Sequence, residues 1–187
     1  MAKIAVKNGA DFFYIADSNS NLLPEDVEKY VRALIKNIST GIKIGFHPHN
    51  NLDLSQINAL VAIKNGASII DSSVLGFGKG AGNLRTELFP LLLIRKKIIS
   101  ESKYNIKGLF DIAKYFNDKI LKTNNFEEQY KYYLYGLKNV GLKEDEQIKK
   151  ISLTSKIKDY NLAFIYATKC NCDFKKLEKI IKHKIKW

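Results

Sequence analysis

Two histidines one residue apart, His47 and His49, lie in the run Gly45-Phe-His-Pro-His-Asn-Asn51. Residues i and i+2 of a strand face the same side, so both imidazoles enter one space. Pro48 between them has no N–H to give a neighbouring strand, which suits a strand emerging into a site. Paired imidazoles on a strand end favour a divalent-cation site over a packing role for either ring. The third histidine, His183, sits between Lys182 and Lys184 and is expected to be exposed. A second segment, Asp71-Ser-Ser-Val-Leu-Gly-Phe-Gly-Lys-Gly-Ala-Gly-Asn83, carries four glycines in seven residues. Gly78, Gly80 and Gly82 would let a ligand approach the backbone closely. Gly76-x-Gly78-x-x-Ala81 followed by Glu101 is a permissive dinucleotide fingerprint. If Leu91 to Ile99 were the next strand, however, the stretch before it would be too short for a crossover helix. A Walker loop is excluded because Gly80, rather than Ser or Thr, follows Lys79.

Both segments need strands and helices to hold them, and the first hundred residues supply a repeating pattern. Ile4-Ala-Val-Lys-Asn-Gly-Ala10 recurs as Val61-Ala-Ile-Lys-Asn-Gly-Ala67. Each copy reads as the last turns of a helix, closed by Gly9 or Gly66 in the left-handed conformation and followed at once by a strand. Strands are predicted at Phe12 to Ala16, Ile42 to Phe46 and Ser68 to Ser72, apolar enough for a parallel sheet covered by helices. A helix is predicted from Pro24 to about Asn37, with Pro in its first turn and acids complementing its dipole. Another runs from about Leu54 to Asn65. Beyond Ser100 the pattern is helical, with segments at Leu109 to Leu121, Phe126 to Leu137, Glu144 to Ile151, Ile157 to Thr168 and Phe174 to Ile185. Tyr130, Tyr132, Tyr133 and Tyr135 cluster there, and packing within or between helices is favoured over stacking on bases. The fold class is α/β over residues 1–99, with a separate helical region over 100–187.

Composition narrows the function. Of 187 residues 45% are hydrophobic and 27% charged, as expected of a globular chain. The longest apolar run, Leu88 to Ile94, is far short of the ~20 residues needed to span a bilayer. No secretory signal is read at the start, so a cytoplasmic location is expected. Cys170 and Cys172 are too few for a thiolate metal site and read as reduced thiols. The net charge of +12 raises the prior for a nucleic-acid partner. Only Arg32, Arg85 and Arg95 among the 31 basic residues carry the guanidinium fork that phosphate and base readout favours, so a solvated lysine surface is preferred.

Four segments together carry a resemblance. Phe13-Tyr-Ile-Ala-Asp-Ser18 with Leu23-Pro-Glu-Asp26, His47-x-His49-Asn-Asn-Leu52, Gly66-Ala-x-x-Ile-Asp71, and Gly76-x-Gly78-x-Gly80-Ala-Gly-Asn83-Leu-x-Thr-Glu87-Leu88 resemble, in order and spacing, the C-terminal barrel half of the metal-dependent HMG-CoA-lyase-like superfamily. The Asn-Asn after the histidines and the Gly-Ala-Gly-Asn-Leu-x-Thr-Glu-Leu run are most similar to its 4-hydroxy-2-oxovalerate aldolase-like members. The resemblance implies about three βα units of a TIM barrel over residues 1–99, counted back from the His-x-His strand as the seventh. It implies metal ligation by His47, His49 and Asn83, and a site faced by Asp17, Asp71 and Glu87. For the two aspartates the bland reading is strand-end capping, and for Glu87 a place at a helix N-terminus. It further implies a Mn or Mg ion, a small 2-oxo acid such as pyruvate, and carbon–carbon bond cleavage or formation through an enolate. A homo-oligomer or an aldehyde dehydrogenase partner also follows from the family. The family's first strand supplies an Arg-Asp pair that nothing here matches, so a barrel half on another chain is expected. A noncatalytic remnant acting through the helical tail is the alternative, and a nucleic-acid binder driven by the basic tail a third.

Overall fold

The computed structural model describes residues 2–38, 41–121 and 126–184; the side chains of 121, 126–130, 133, 183 and 184 lie outside the description. Helix α1 (Ala2–Lys7) leads into strand β1 (Phe12–Asp17), α2 (Pro24–Asn37), β2 (Lys43–Pro48), α3 (Ser55–Lys64) and β3 (Ile69–Ile70). The strands pair in parallel in the order β1-β2-β3, with Asp17 opposite Pro48 and Phe46 opposite Ile70. Their C-terminal ends therefore come together, as successive right-handed βα units require.

Local sequence explains most of these boundaries. Pro24 opens α2 and the Asp26 carboxylate accepts the Leu23 N–H at 3.1 Å. Gly9 and Gly66 take the left-handed conformation at φ +85° and +107°, closing the two copies of the repeat as expected. Strand β3 has two residues where five were predicted, because it has one neighbour and pairs with it only at Gly45 and Phe46. The Leu91–Ile99 stretch is helical up to Arg95 and forms no strand: α4 (Phe89–Arg95) begins with Pro90 in its first turn.

Ile15, Ile44 and Phe46 pack with Val27, Val31 and Ala62 of α2 and α3. Strand parity sends Phe12, Tyr14, Ala16, Gly45 and His47 to the opposite face. That face is bare: Phe12 and Tyr14 are 49% and 41% exposed. Gly45 lets the Tyr14 ring lie across it: a Cβ would lie 2.3 Å from that ring and turn it aside. Ala59, Leu60, Leu84, Phe89 and Leu93 form a second cluster, which fixes α4 beside α3.

Among the described residues five α-helices follow: α5 (Ile106–Phe116), α6 (Phe126–Lys138), α7 (Leu142–Ser155), α8 (Asp159–Thr168) and α9 (Phe174–Lys184). Their core joins Tyr135, Ile148, Leu162, Tyr166, Leu177 and Ile181. Tyr132 packs edge-on against Tyr135, ring centroids 5.9 Å apart, so these two tyrosines serve packing; the side chains of Tyr130, Tyr133 and His183 lie outside the described set. The helical region docks on the loops at the C-terminal end of the sheet. A Cβ on Gly136 of α6 would come within 2.8 Å of Leu52 and 2.9 Å of the Ser20 carbonyl. Asn19 Nδ2 donates to Asn139 Oδ1 at 2.7 Å, and the Phe77 and Phe116 rings meet edge-on. Among the described residues no helix is long and apolar enough to cross a membrane.

Candidate functional site

His47 ends the bare face of β2, and Asp71 follows β3 on the adjacent row. His47 Nδ1 and Asp71 Oδ2 are 3.1 Å apart. With Nδ1 protonated and donating to Asp71, Nε2 keeps its lone pair for a ligand, and the carboxylate fixes the ring's tautomer and angle. Asp71 thus touches a histidine rather than standing alone at a strand end. Pro48 still pairs within β2, and His49 just beyond it bridges Asn83 in antiparallel fashion. The two imidazoles share one space, their ring centroids 5.0 Å apart and their planes crossing at 72°.

Burial, then the charges of His47 and Lys79, push the His49 imidazole below its ordinary range, against a hydrogen bond to the Lys79 backbone that favours the cation. The ring is consequently neutral at physiological pH, the form that can ligate a metal. Asn83, whose backbone bridges His49, has a buried Oδ1 with no hydrogen-bond partner among the described residues. A buried amide oxygen left unpaired costs on the order of 1–3 kcal/mol unless something meets it.

The glycine-rich loop is folded onto the histidine segment by backbone contacts. Asn50 N–H donates to the Gly82 carbonyl at 2.8 Å, and Ala81 N–H to Asn51 Oδ1 at 2.9 Å. Asn51, itself buried, donates its backbone N–H to Ser20 Oγ at 2.8 Å and its Nδ2 to the Asn19 carbonyl at 3.2 Å. Gly82, at φ +97°, is irreplaceable: a Cβ would lie 2.2 Å from the Gly76 carbonyl. The space beside Gly78 is filled by the Asn83 side chain and that beside Gly80 by Asn51. Of the three, Gly80 lines the cleft next to His49, and that cleft has room of about 10 Å³, one water-sized sphere.

Glu87 does not approach the histidines through any hydrogen bond described. It is buried, with Oε1 accepting from Arg85 Nε at 2.7 Å and Oε2 from the Leu75 N–H at 3.0 Å. Leu75 has φ +56°, so the carboxylate holds a left-handed non-glycine residue at the entrance of the loop. Asp17 lies at the end of β1, 3% exposed; Oδ1 accepts the Asn21 N–H at 3.0 Å while Oδ2 has no partner. Burial chiefly raises its pKa, against hydrogen bonds from the backbone of Asn21, Leu22 and Ser20.

That shift has a sign. The unfolded chain loses the Asp17 proton at the ordinary carboxylate value while the folded chain keeps it to higher pH, so stability falls as pH rises between the two values and stays reduced above them. Asp17→Asn is expected to stabilise the fold by about 1 kcal/mol at pH 7 and by nothing below about pH 4. Thermal unfolding at both pH values checks this; equal melting temperatures at pH 7 would contradict it.

Sequence reasoning passed over Ser20, Asn51 and Lys79, whose roles come from long-range contacts. It also missed the far wall of the cleft, formed by Tyr132, Tyr135 and Asp145 of the helical region. Behind that wall Lys131 is 2% exposed and held between Asp159 at 2.8 Å and Asp145 at 3.4 Å. Among the described residues no three His, Cys, Asp or Glu side chains converge as a metal-binding group. The donors that meet are the two imidazoles; the Asn83 amide, on a residue whose backbone bridges His49, packs against Gly78 and donates to the Phe77 carbonyl at 3.4 Å. Neutral nitrogen and oxygen donors of this kind fit a divalent cation.

Comparisons with known proteins show what the chain is similar to. The chain is 48% identical over 94 residues to a 4-hydroxy-2-oxovalerate aldolase of Geobacillus stearothermophilus, covering 50% of this chain and 27% of that protein. It is 39% identical over 128 residues to the one of Chloroflexus aggregans, covering 68% and 36%. The chain thus spans about a third of the length of these curated relatives. The carboxyl transferase domain of Rhizobium etli pyruvate carboxylase superposes with TM-score 0.63 at 17% identity over 89% of this chain and 28% of that one, and a Bacillus subtilis HMG-CoA lyase with TM-score 0.58 at 21% identity over 67% and 44%. These two likenesses concern the fold alone. With the HMGL-like family model matching residues 1–115, more than half of its length, the chain belongs to the HMGL-like family.

Proposed function

We propose that the chain is the C-terminal portion of a metal-dependent aldolase or lyase that cleaves or forms a carbon–carbon bond next to a 2-oxo acid. The aldolase names of its relatives support a carbon–carbon lyase by family. In this reading residues 1–99 are about three βα units of a TIM barrel, and 100–187 a helical region covering its site. The bare face of Phe12 and Tyr14 is then barrel interior, and the outer edges of β1 and β3 are where further strands belong.

One observation supports the reading: two imidazoles 5.0 Å apart, the first 3.1 Å from the Asp71 carboxylate and the second on a residue bridged to Asn83 of the glycine-rich loop. His47, His49 and Asn83 would hold the cation, Mn or Mg being the ions that the family resemblance implies, with an anionic ligand from outside this chain. When bound, the cation supplies Lewis-acid stabilisation of the negative charge that develops on the substrate's ketone oxygen. Asp71 keeps the His47 ring at a fixed angle, Asn51 clamps the loop, and Glu87 sets the loop's entrance. Tyr132 and Tyr135 help to narrow the space beside His49 to a single water's size, which limits access of bulk water from that side.

Calorimetric titration with Mn²⁺ tests the site. One weak binding event is expected, at least tenfold weaker in His47→Ala and absent when His47 and His49 are both alanine. Unchanged affinity in the double variant would remove the metal reading.

A further inference from the structure

The glycine-rich loop carries one cation, and its backbone is fixed from both sides. Lys79 lies between Gly78 and Gly80; its carbonyl receives the Gly82 N–H, and its backbone hydrogen-bonds the His49 ring. The next residues are pinned by Asn51, which accepts the Ala81 N–H at 2.9 Å. The side chain therefore starts from a rigid point beside His49, lines the same cleft, and stays exposed. The other cations near this end of the sheet are spent: Arg85 is held by Glu87 and Lys131 by Asp145 and Asp159. Among the described residues no carboxylate forms an ion pair with Lys79. An exposed ammonium lining the cleft with His49 favours an anion arriving there. The inner cleft is too small for an organic acid, so the ligand must lie toward the open side, at the loop's rim.

We propose that the Lys79 ammonium receives the carboxylate of the 2-oxo acid at the rim of the His47 and His49 site, a substrate-positioning role that rests on the aldolase reading. A 2-oxo acid carries its carboxylate on the carbon next to the ketone, so a cation beside the imidazoles would meet it while the ketone oxygen faces them. An ammonium on a flexible stem serves as a point charge for such an anion, and a guanidinium can replace it.

The test uses the full chain with Mn²⁺ and two probes, pyruvate and its uncharged amide, pyruvamide. Broadening of the probe's methyl proton signal by bound Mn²⁺ reads weak binding, and the signal of free Mn²⁺ reads metal affinity separately. Lys79→Ala is expected to weaken pyruvate binding about tenfold, leave pyruvamide binding unchanged and Mn²⁺ binding no weaker, and be largely rescued by Lys79→Arg. Equal pyruvate binding by wild type and Lys79→Ala would overturn the assignment while leaving the metal site standing. Loss of Mn²⁺ binding in Lys79→Ala would also overturn it, showing a role in loop structure instead. Mn²⁺ bound by wild type with neither probe broadened would overturn the 2-oxo acid reading, and Lys79 with it.

Discussion

Residues 1–187 alone are expected to show no detectable cleavage of a 4-hydroxy-2-oxo acid, and turnover is expected to appear when a polypeptide supplying the earlier βα units is added. Among the described residues no three His, Cys, Asp or Glu side chains converge with the two imidazoles as a metal-binding group, and the sequence has no match to the Arg-Asp pair that the resemblance implies for the family's first strand. Removing one preorganised electrostatic stabiliser costs about 100- to 1,000-fold in rate, and here a ligand is missing as well. The part of a curated relative that precedes its matched segment is the natural complement, since this chain covers 27% of one such aldolase and 36% of another. Recovered turnover should require the metal and vanish in His49→Ala. Robust turnover by the lone chain would show that the site is assembled from other groups, while failure of every complement would favour a noncatalytic remnant.

Glu87→Ala is expected to lower stability by about 2–4 kcal/mol, the second large effect. The side chain is 1% exposed and holds two donors, Arg85 Nε and the Leu75 N–H. Alanine leaves a small cavity and strands a backbone donor at a left-handed residue, each on the order of 1–3 kcal/mol, partly offset because Arg85 is half-exposed and can turn to water. The loop from Leu75 to Asn83 should then open, seen as faster hydrogen exchange of the Leu75 amide and weaker Mn²⁺ binding. A variant with unchanged unfolding midpoint and unchanged exchange, but lost turnover in the complemented enzyme, would assign Glu87 to catalysis rather than to the loop.

What the sequence makes legible is what short-range physics decides. Period-two spacing places His47 and His49 in one space, and the Asn-Gly closures of both repeats appear with the expected positive φ. Proline and acids in the first turn locate α2 to the residue. What escapes is set by contacts across the chain. Nothing local distinguishes Asn51 from Asn50, yet one is buried between Ser20 and Ala81 and the other is not. Glu87 reads as a carboxylate near a site until Arg85 and Leu75 are found against it. Lys131 sits in a polar, aromatic run that reads as a helix surface, and only the folding of α7 and α8 around it supplies Asp145 and Asp159. The docking of α6 over the sheet's C-terminal end depends on Gly136 meeting Leu52, a contact across 84 residues that no periodicity encodes.

The central claim, that His47 and His49 form a metal site, is tested most directly by pulsed electron paramagnetic resonance of the Mn²⁺-loaded chain. Two coupled imidazole nitrogens are predicted for wild type, one in His47→Ala and one in His49→Ala, with Asp71→Ala retaining both but binding the ion more weakly. Mn²⁺ bound with no nitrogen coupling, or with a coupling that survives loss of both histidines, would contradict the account.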